Sequence, residues 1–235
     1  MAFNSWSTRE QVYSGYGQPV PVAHESVETR LNFLKKVYSL LFVSILFACG
    51  GAYMGMTSLA PAIAGNYFLF SILEFGMIFF AMAVRQREGL NLFALFGFAA
   101  MSGMLPGPYL ALLAQTQPGV IVQAFVMTVG IFGGLTLYVF TARKDFNFIG
   151  GFLFVGLLAI IIGGVANIFI ASSVFHLAIS ACGVLLFCGF ILYDTSNIVL
   201  RYPSNEYVAG TLSLYLDFLN LFLNLLSLLS RATDD

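Results

Sequence analysis

The sequence predicts an all-α integral membrane protein, a bundle of seven transmembrane helices, and three observations predict it. Hydrophobic residues fill 59% of the 235 positions and charged residues only 9%, against roughly 25% charged in a soluble domain. Long apolar runs recur along the whole chain, separated by short breaks. Lysine and arginine fall in alternate breaks, so one side of a membrane would receive nearly all of them.

Residues 1–30 are polar, contain Gly15-Tyr16-Gly17-Gln18-Pro19-Val20-Pro21 and show no helical apolar period. They are expected to form a mobile cytoplasmic tail before a membrane domain over 31–235. The first apolar run starts too late and runs too long for a cleaved signal. Spans are expected at 37–56, 66–84, 90–113, 119–141, 148–170, 174–199 and 207–229. At about 1.5 Å per residue each crosses, or nearly crosses, a ~30 Å hydrocarbon layer. Ala60-Pro61, Arg85 to Gly89, Gln115 to Pro118, Arg143-Lys144-Asp145 and Arg201-Tyr202-Pro203 punctuate them. The third span contains Leu105-Pro106-Gly107-Pro108, which either breaks the helix beside a cavity or ends it early.

With the amino terminus in the cytoplasm, Arg9, Arg30, Lys35, Lys36, Arg85, Arg87, Arg143, Lys144 and Arg201 all lie inside. The carboxyl terminus lies outside if the seventh segment crosses. That segment carries Asp217, Asn220 and Asn224, and a re-entrant hairpin would return its end to the cytoplasm.

The net charge of −1 gives no footprint for nucleic acid. No phosphate loop, nucleophile elbow, metalloprotease motif or cysteine–histidine metal spacing is present. Neither an enzyme nor a cofactor is therefore expected. Cys49, Cys182 and Cys188 sit in apolar runs and read as small buried hydrophobes.

Charges inside spans are costly and few. They are Glu74 in the second span, Arg85 at its end, Asp194 in the sixth and Asp217 in the seventh. Glu206, Gly210, Ser213, Asp217, Asn220, Asn224 and Ser227 follow steps of three and four, forming one polar stripe on the last helix. His176, Ser180, Gly183, Asp194 and Asn197 form a less pure stripe on the sixth. Glu74 and Arg85 are about three turns apart and share a face. Asn167, Asn220 and Asn224 read mainly as hydrogen-bonding glue between helices. His176 reads as an interfacial residue needing no function.

The turn between the last two helices falls near Pro203, placing Asp194 about 14 Å before it and Asp217 about 21 Å after it. Tilt or a shifted turn could close that difference. Two carboxylates cannot both ionise cheaply in a low-dielectric interior, so the pair is expected to compete for a proton. Arg85 is the nearest candidate cation to contact one of them.

Ile191-Leu192-Tyr193-Asp194-Thr195, followed by Leu212 to Phe222 with its Leu214-Tyr215-Leu216-Asp217 core, resembles the signature of the Bax inhibitor-1 family. Ser71-Ile72-Leu73-Glu74 leading to Arg85 is similar to its bacterial members. The resemblance covers roughly residues 25–235. It implies a seven-helix fold with the last helix central and a pH-sensitive calcium leak. Asp194 and Asp217 would be the paired-aspartate sensor, with Arg85 as the latch. Eukaryotic members reside in internal membranes and are associated with suppression of cell death, and some bacterial members are linked to a membrane-bound protease. The short loops resemble the bacterial form, which implies an inner membrane.

Two functions are therefore carried forward. In the first, the chain is a pH-gated calcium pathway whose polar interior includes Glu74, Ser213, Asn220 and Asn224. Calcium would pass near Asp194 and Asp217 without a tight site. In the alternative, it is a regulatory membrane protein that transports nothing and binds a membrane protease or other partner, with residues 1–30 as the handle. A proton-coupled carrier ranks last, because no internal repeat is detected.

Overall fold

The computed structural model describes residues 20–142 and 144–232. Among them every extended element is a helix: α1 (Val27–Met56), α2 (Ala60–Gly65), α3 (Tyr67–Ala83), α4 (Leu90–Met104), α5 (Gly107–Thr116), α6 (Pro118–Ala142), α7 (Gly150–Ile170), α8 (Ser173–Leu200) and α9 (Tyr207–Ala232). Five of these, α1, α6, α7, α8 and α9, are long and apolar enough to cross a membrane, and α4 with α5 makes a sixth if the bent pair is one span. The expected second span forms α3, which is apolar but only 17 residues long.

The first helix begins ten residues before the expected span, because Ser26 caps it. The Ser26 hydroxyl accepts the Thr29 backbone N–H at 3.2 Å, and Glu28 lies in the positive first turn. The boundary expected at residue 30 thus falls inside α1. Just before it, Val22 N–H donates to the Tyr202 carbonyl at 2.8 Å, and Ser204 donates to Glu25 at 2.8 Å. Residues 21–25 are strapped onto the α8–α9 turn, and the remainder of the expected tail, 1–19, lies outside the described residues.

At the Pro-Gly-Pro break α4 ends and α5 sets off at 44° to it. Proline lacks the N–H that a continuous helix needs, and the chain resumes helix at Gly107. A seam of bare backbone holds the bend. A Cβ at Gly51 would overlap the Ala100 carbonyl, one at Gly103 the Ala48 carbonyl, and one at Gly107 the backbone of Gly55. Small residues let α1 and α4 approach this closely, as in other membrane bundles.

Between α7 and α8 the chain reverses within two residues. Ala171 ends α7 in the left-handed region (φ 51°), and Ser172 then caps α8 by accepting the Phe175 N–H at 3.3 Å.

Helix α9 is unbroken, so it is not a re-entrant hairpin. It packs against α8, α6, α1 and α4 and buries 44% of its most apolar stretch, against 6–28% for the other long helices. Its first turn is held by Lys36 over the Tyr207 ring (3.3 Å) and by Asn91 to the Tyr207 hydroxyl (3.3 Å). Its far end is held by Ser230 against the Tyr109 hydroxyl at 2.8 Å. It therefore runs the length of the bundle, from the end carrying Arg85 and Arg201 to the opposite end. Helix α7 is the reverse case, with Leu153 its one buried residue and large apolar side chains outward.

One sequence expectation needs correcting here. Cys49 and Cys182 are exposed and Cys188 is half-buried, so the cysteines are not core residues. They lie on apolar surface, which lipid tolerates as readily as a core does.

Candidate functional site

The polar stripe of α9 faces α8, and the two helices are zipped antiparallel along it. Starting at the opposite end, Ser227 accepts from Ser180 at 3.0 Å and bonds His176 Nε2 at 2.8 Å. Asn224 lies against the bare Cα of Gly183. Nearer the basic end, Gly210 meets Ile198, and Ser213 lies 3.4 Å from the Tyr202 hydroxyl.

Between these contacts the carboxyl groups of Asp194 and Asp217 come within hydrogen-bonding reach of each other. The zipper register explains how. Gly183–Asn224, Ser180–Ser227 and Ile198–Gly210 are centred on residues 203–204, so the backbone of Asp217 lies about four residues, roughly 6 Å, deeper than that of Asp194. Every helical Cα–Cβ bond leans toward its own amino terminus. In an antiparallel pair, Asp217 therefore leans toward the basic end and Asp194 away from it, so the two lean toward each other. Side-chain direction closes the gap that tilt or a shifted turn was expected to close.

Asp194 is half-buried, whereas Asp217 is 4% exposed. No hydrogen-bond donor reaches Oδ2 of Asp217 among the described residues. An ionised carboxylate only accepts hydrogen bonds, so contact between two of them is favourable only with a proton between them.

Asp194 opens onto a cavity of about 450 Å³ at the basic end, which Arg85, Asn197, Tyr202 and Glu206 also line. Arg85 Nε lies 3.1 Å from Glu206 Oε2, and Gln86 donates to the other Glu206 oxygen at 2.7 Å. Arg85 is thus paired with Glu206 and with neither aspartate in this structure, though it shares the cavity with Asp194. The Arg85–Glu206 contact is an ion pair without hydrogen-bond alignment. Arg201, which also lines the cavity, forms a two-pronged pair with Asp145 and donates to Asn197 Oδ1 at 2.9 Å. The Arg201 hydrogen bonds hold the exposed Asp145 carboxyl below its usual range.

The other expected site residues divide. Ser213 joins the zipper one turn from Asp217. The amide nitrogens of Asn220 and Asn224 donate to the carbonyls of Leu216 and Asn220, each at 2.8 Å, so they serve their own helix and do not bridge to another. Glu74 is half-buried on α3, within electrostatic reach of Tyr67 and Tyr215, and does not line the cavity of Asp194. His176 is more than an interfacial residue: beyond its bond to Ser227 it lies 3.4 Å from Asn167, tying α7, α8 and α9 together.

Glu206 and Tyr202 are the residues that sequence reasoning left out of the site. Glu206 was legible as the first member of the α9 stripe, three turns before Asp217. Tyr202 sits in a turn, where helical spacing carries no signal. Among the described residues no group of three or more His, Cys, Asp or Glu gathers as a metal site.

The family model described as "Inhibitor of apoptosis-promoting Bax1" matches residues 30–234. The chain is 35% identical to protein lifeguard 4 of Mus musculus over 216 residues, 90% of each chain. It is 39% identical to an uncharacterized membrane protein of Vibrio cholerae, covering 83% of this chain and 87% of the other. With Bax inhibitor 1 of Schizosaccharomyces pombe it shares 32% identity over 99% of this chain and 89% of the relative.

Proposed function

The chain belongs to the Bax inhibitor-1 family, and from that premise we propose that it is a pH-gated passive leak for calcium. The observation that carries this reading is the contact of the buried Asp217 with Asp194, which itself lines the cavity at the basic end. In this reading the chain crosses a bacterial inner membrane seven times, by α1, α3, the bent α4–α5 pair, α6, α7, α8 and α9. Helix α3 spans about 26 Å at 1.5 Å per residue, close to the ~30 Å hydrocarbon layer. The basic end lies in the cytoplasm and the end of α9 outside.

A calcium ion enters the cavity past Glu206 and reaches Asp194. Carboxylate oxygens are the hard ligands it favours, and two are too few to trap it. Asp217 stands behind, and beyond it the route follows the α8–α9 seam past Asn220 and Asn224 toward Ser227. While a proton is shared, the carboxyl contact closes this seam. A change in that proton alters the balance between closed and parted α8–α9 arrangements. Glu206 adds a second tie by holding Arg85, and through it the end of α3, against the start of α9.

The test uses purified protein in vesicles loaded with a calcium-sensitive dye, with pH stepped across about 5 to 8. Wild type should pass calcium in a pH-dependent manner, and Asp217→Asn should lose that dependence. Flux equal to that of empty vesicles at every pH rejects the proposal.

A further inference from the structure

The bend at Pro106 leaves a space that α1, α6 and α9 border and that shares no lining residue with the cavity of Asp194. It measures about 360 Å³ and is walled by Cys49 and Ala52 of α1, Pro106 and Leu110 at the bend, Phe125 of α6 and Leu219 of α9. The backbone seam of Gly51, Gly55, Gly103 and Gly107 locks the bend, so the space cannot close by sliding α4 against α1. It is part of the built structure.

Its chemistry is uniform. The wall side chains are apolar, and Tyr215 offers only its ring, because its hydroxyl contacts Ser102 at 2.6 Å and donates to the Ala99 carbonyl at 3.2 Å. A cavity of this kind does not hold water, which needs two or more polar partners. No charged side chain lines it, so nothing in it would select a headgroup or an ion. At its mouth stand Tyr53 and Val122, 69% and 63% exposed, on outer faces of membrane-length helices. The medium outside that mouth is hydrocarbon. An empty space would forfeit the dispersion contacts of every wall residue, and hydrocarbon restores them.

We propose that this cavity binds one acyl chain of a membrane lipid, inserted between α1 and α6 as far as the central helix α9. The site selects a tail and is indifferent to the headgroup. It stands apart from the aspartate reading, since none of its residues belongs to that site.

The test exploits the position of α9. The full chain is placed in phosphatidylcholine vesicles containing a trace of phosphatidylcholine with a photoreactive diazirine in mid-chain. After irradiation, the labelled residues are mapped by peptide mass spectrometry. Bulk lipid labels outward residues such as Ile168 and Phe169, 76% and 84% exposed on α7. Only a chain inside the cavity reaches Leu219 or Phe222, which line it from α9. Labelling of these two is expected in wild type. It should be lost in Ala52→Phe, which fills the space from α1, and in Ile121→Phe, which fills it from α6, with α7 labelling unchanged. Wild-type protein labelled on α7 but not at Leu219 or Phe222 overturns the proposal, a result that needs no variant to fold. Labelling of α9 that survives in both filled variants overturns it too.

Discussion

The side-chain amide of Asn224 occupies the place where Gly183 would carry a Cβ. This contact sets how closely α8 and α9 approach, one step along the zipper from the carboxyl pair. Gly183→Ala should therefore destabilise the protein by about 1–3 kcal/mol, the usual cost of overpacking. Because the obstructing atoms belong to a side chain, Asn224→Ala in the same protein should restore most of the loss. Denaturant unfolding in detergent, read as a double-mutant cycle, checks both.

Gly51 makes the contrasting case. A Cβ there meets the backbone carbonyl of Ala100, which cannot rotate away. Gly51→Ala should cost more than Gly183→Ala, above about 3 kcal/mol, and no single compensating substitution on α4 should rescue it. The same unfolding assay decides.

Glu206 ties Arg85 to the start of α9, but the partners are 13% and 39% exposed. Solvent screening limits the pair to no more than about 1 kcal/mol of stability. Glu206→Gln should leave unfolding almost unchanged while moving the pH midpoint of calcium flux, since it releases Arg85 inside the cavity of Asp194. The exchanged pair Arg85→Glu with Glu206→Arg should return the midpoint toward wild type. An unmoved midpoint in Glu206→Gln would remove Arg85 from the gate.

Asp145 carries an acid-limb prediction. Arg201 holds its folded-state carboxyl below the usual value, so the pair contributes above the unfolded pKa of about 3.9. That contribution disappears as pH falls through the lower, folded value. Asp145→Asn should flatten the stability profile below about pH 4 and lower stability slightly at neutral pH. Thermal unfolding across pH reads both limbs.

Much of this arrangement was legible before any coordinates. Apolar length located the long helices, and steps of three and four on the last helix located the stripe from Glu206 to Ser227. What resisted reading was non-periodic or long-range. The Val22–Tyr202 strap joins residues 180 apart through backbone groups, which leave no compositional trace. Ser26 started α1 early because a cap, not hydrophobicity, fixes a helix end. The bend at Pro106 was visible, but whether helix resumed after it depended on Gly55 accepting Gly107. Arg85 was expected beside an aspartate and is held by Glu206, because a flexible cation takes whichever carboxylate its helix end presents.

The proposed gate requires Asp194 and Asp217 to act as one titrating unit. The direct measurement is calcium flux against pH for Asp194→Asn, Asp217→Asn and the double variant, alongside wild type. If the carboxyls share a proton, either single substitution removes the whole pH response and the double adds nothing further. Singles that each retain part of the response, with effects that sum in the double, would mean two separate sites and contradict it.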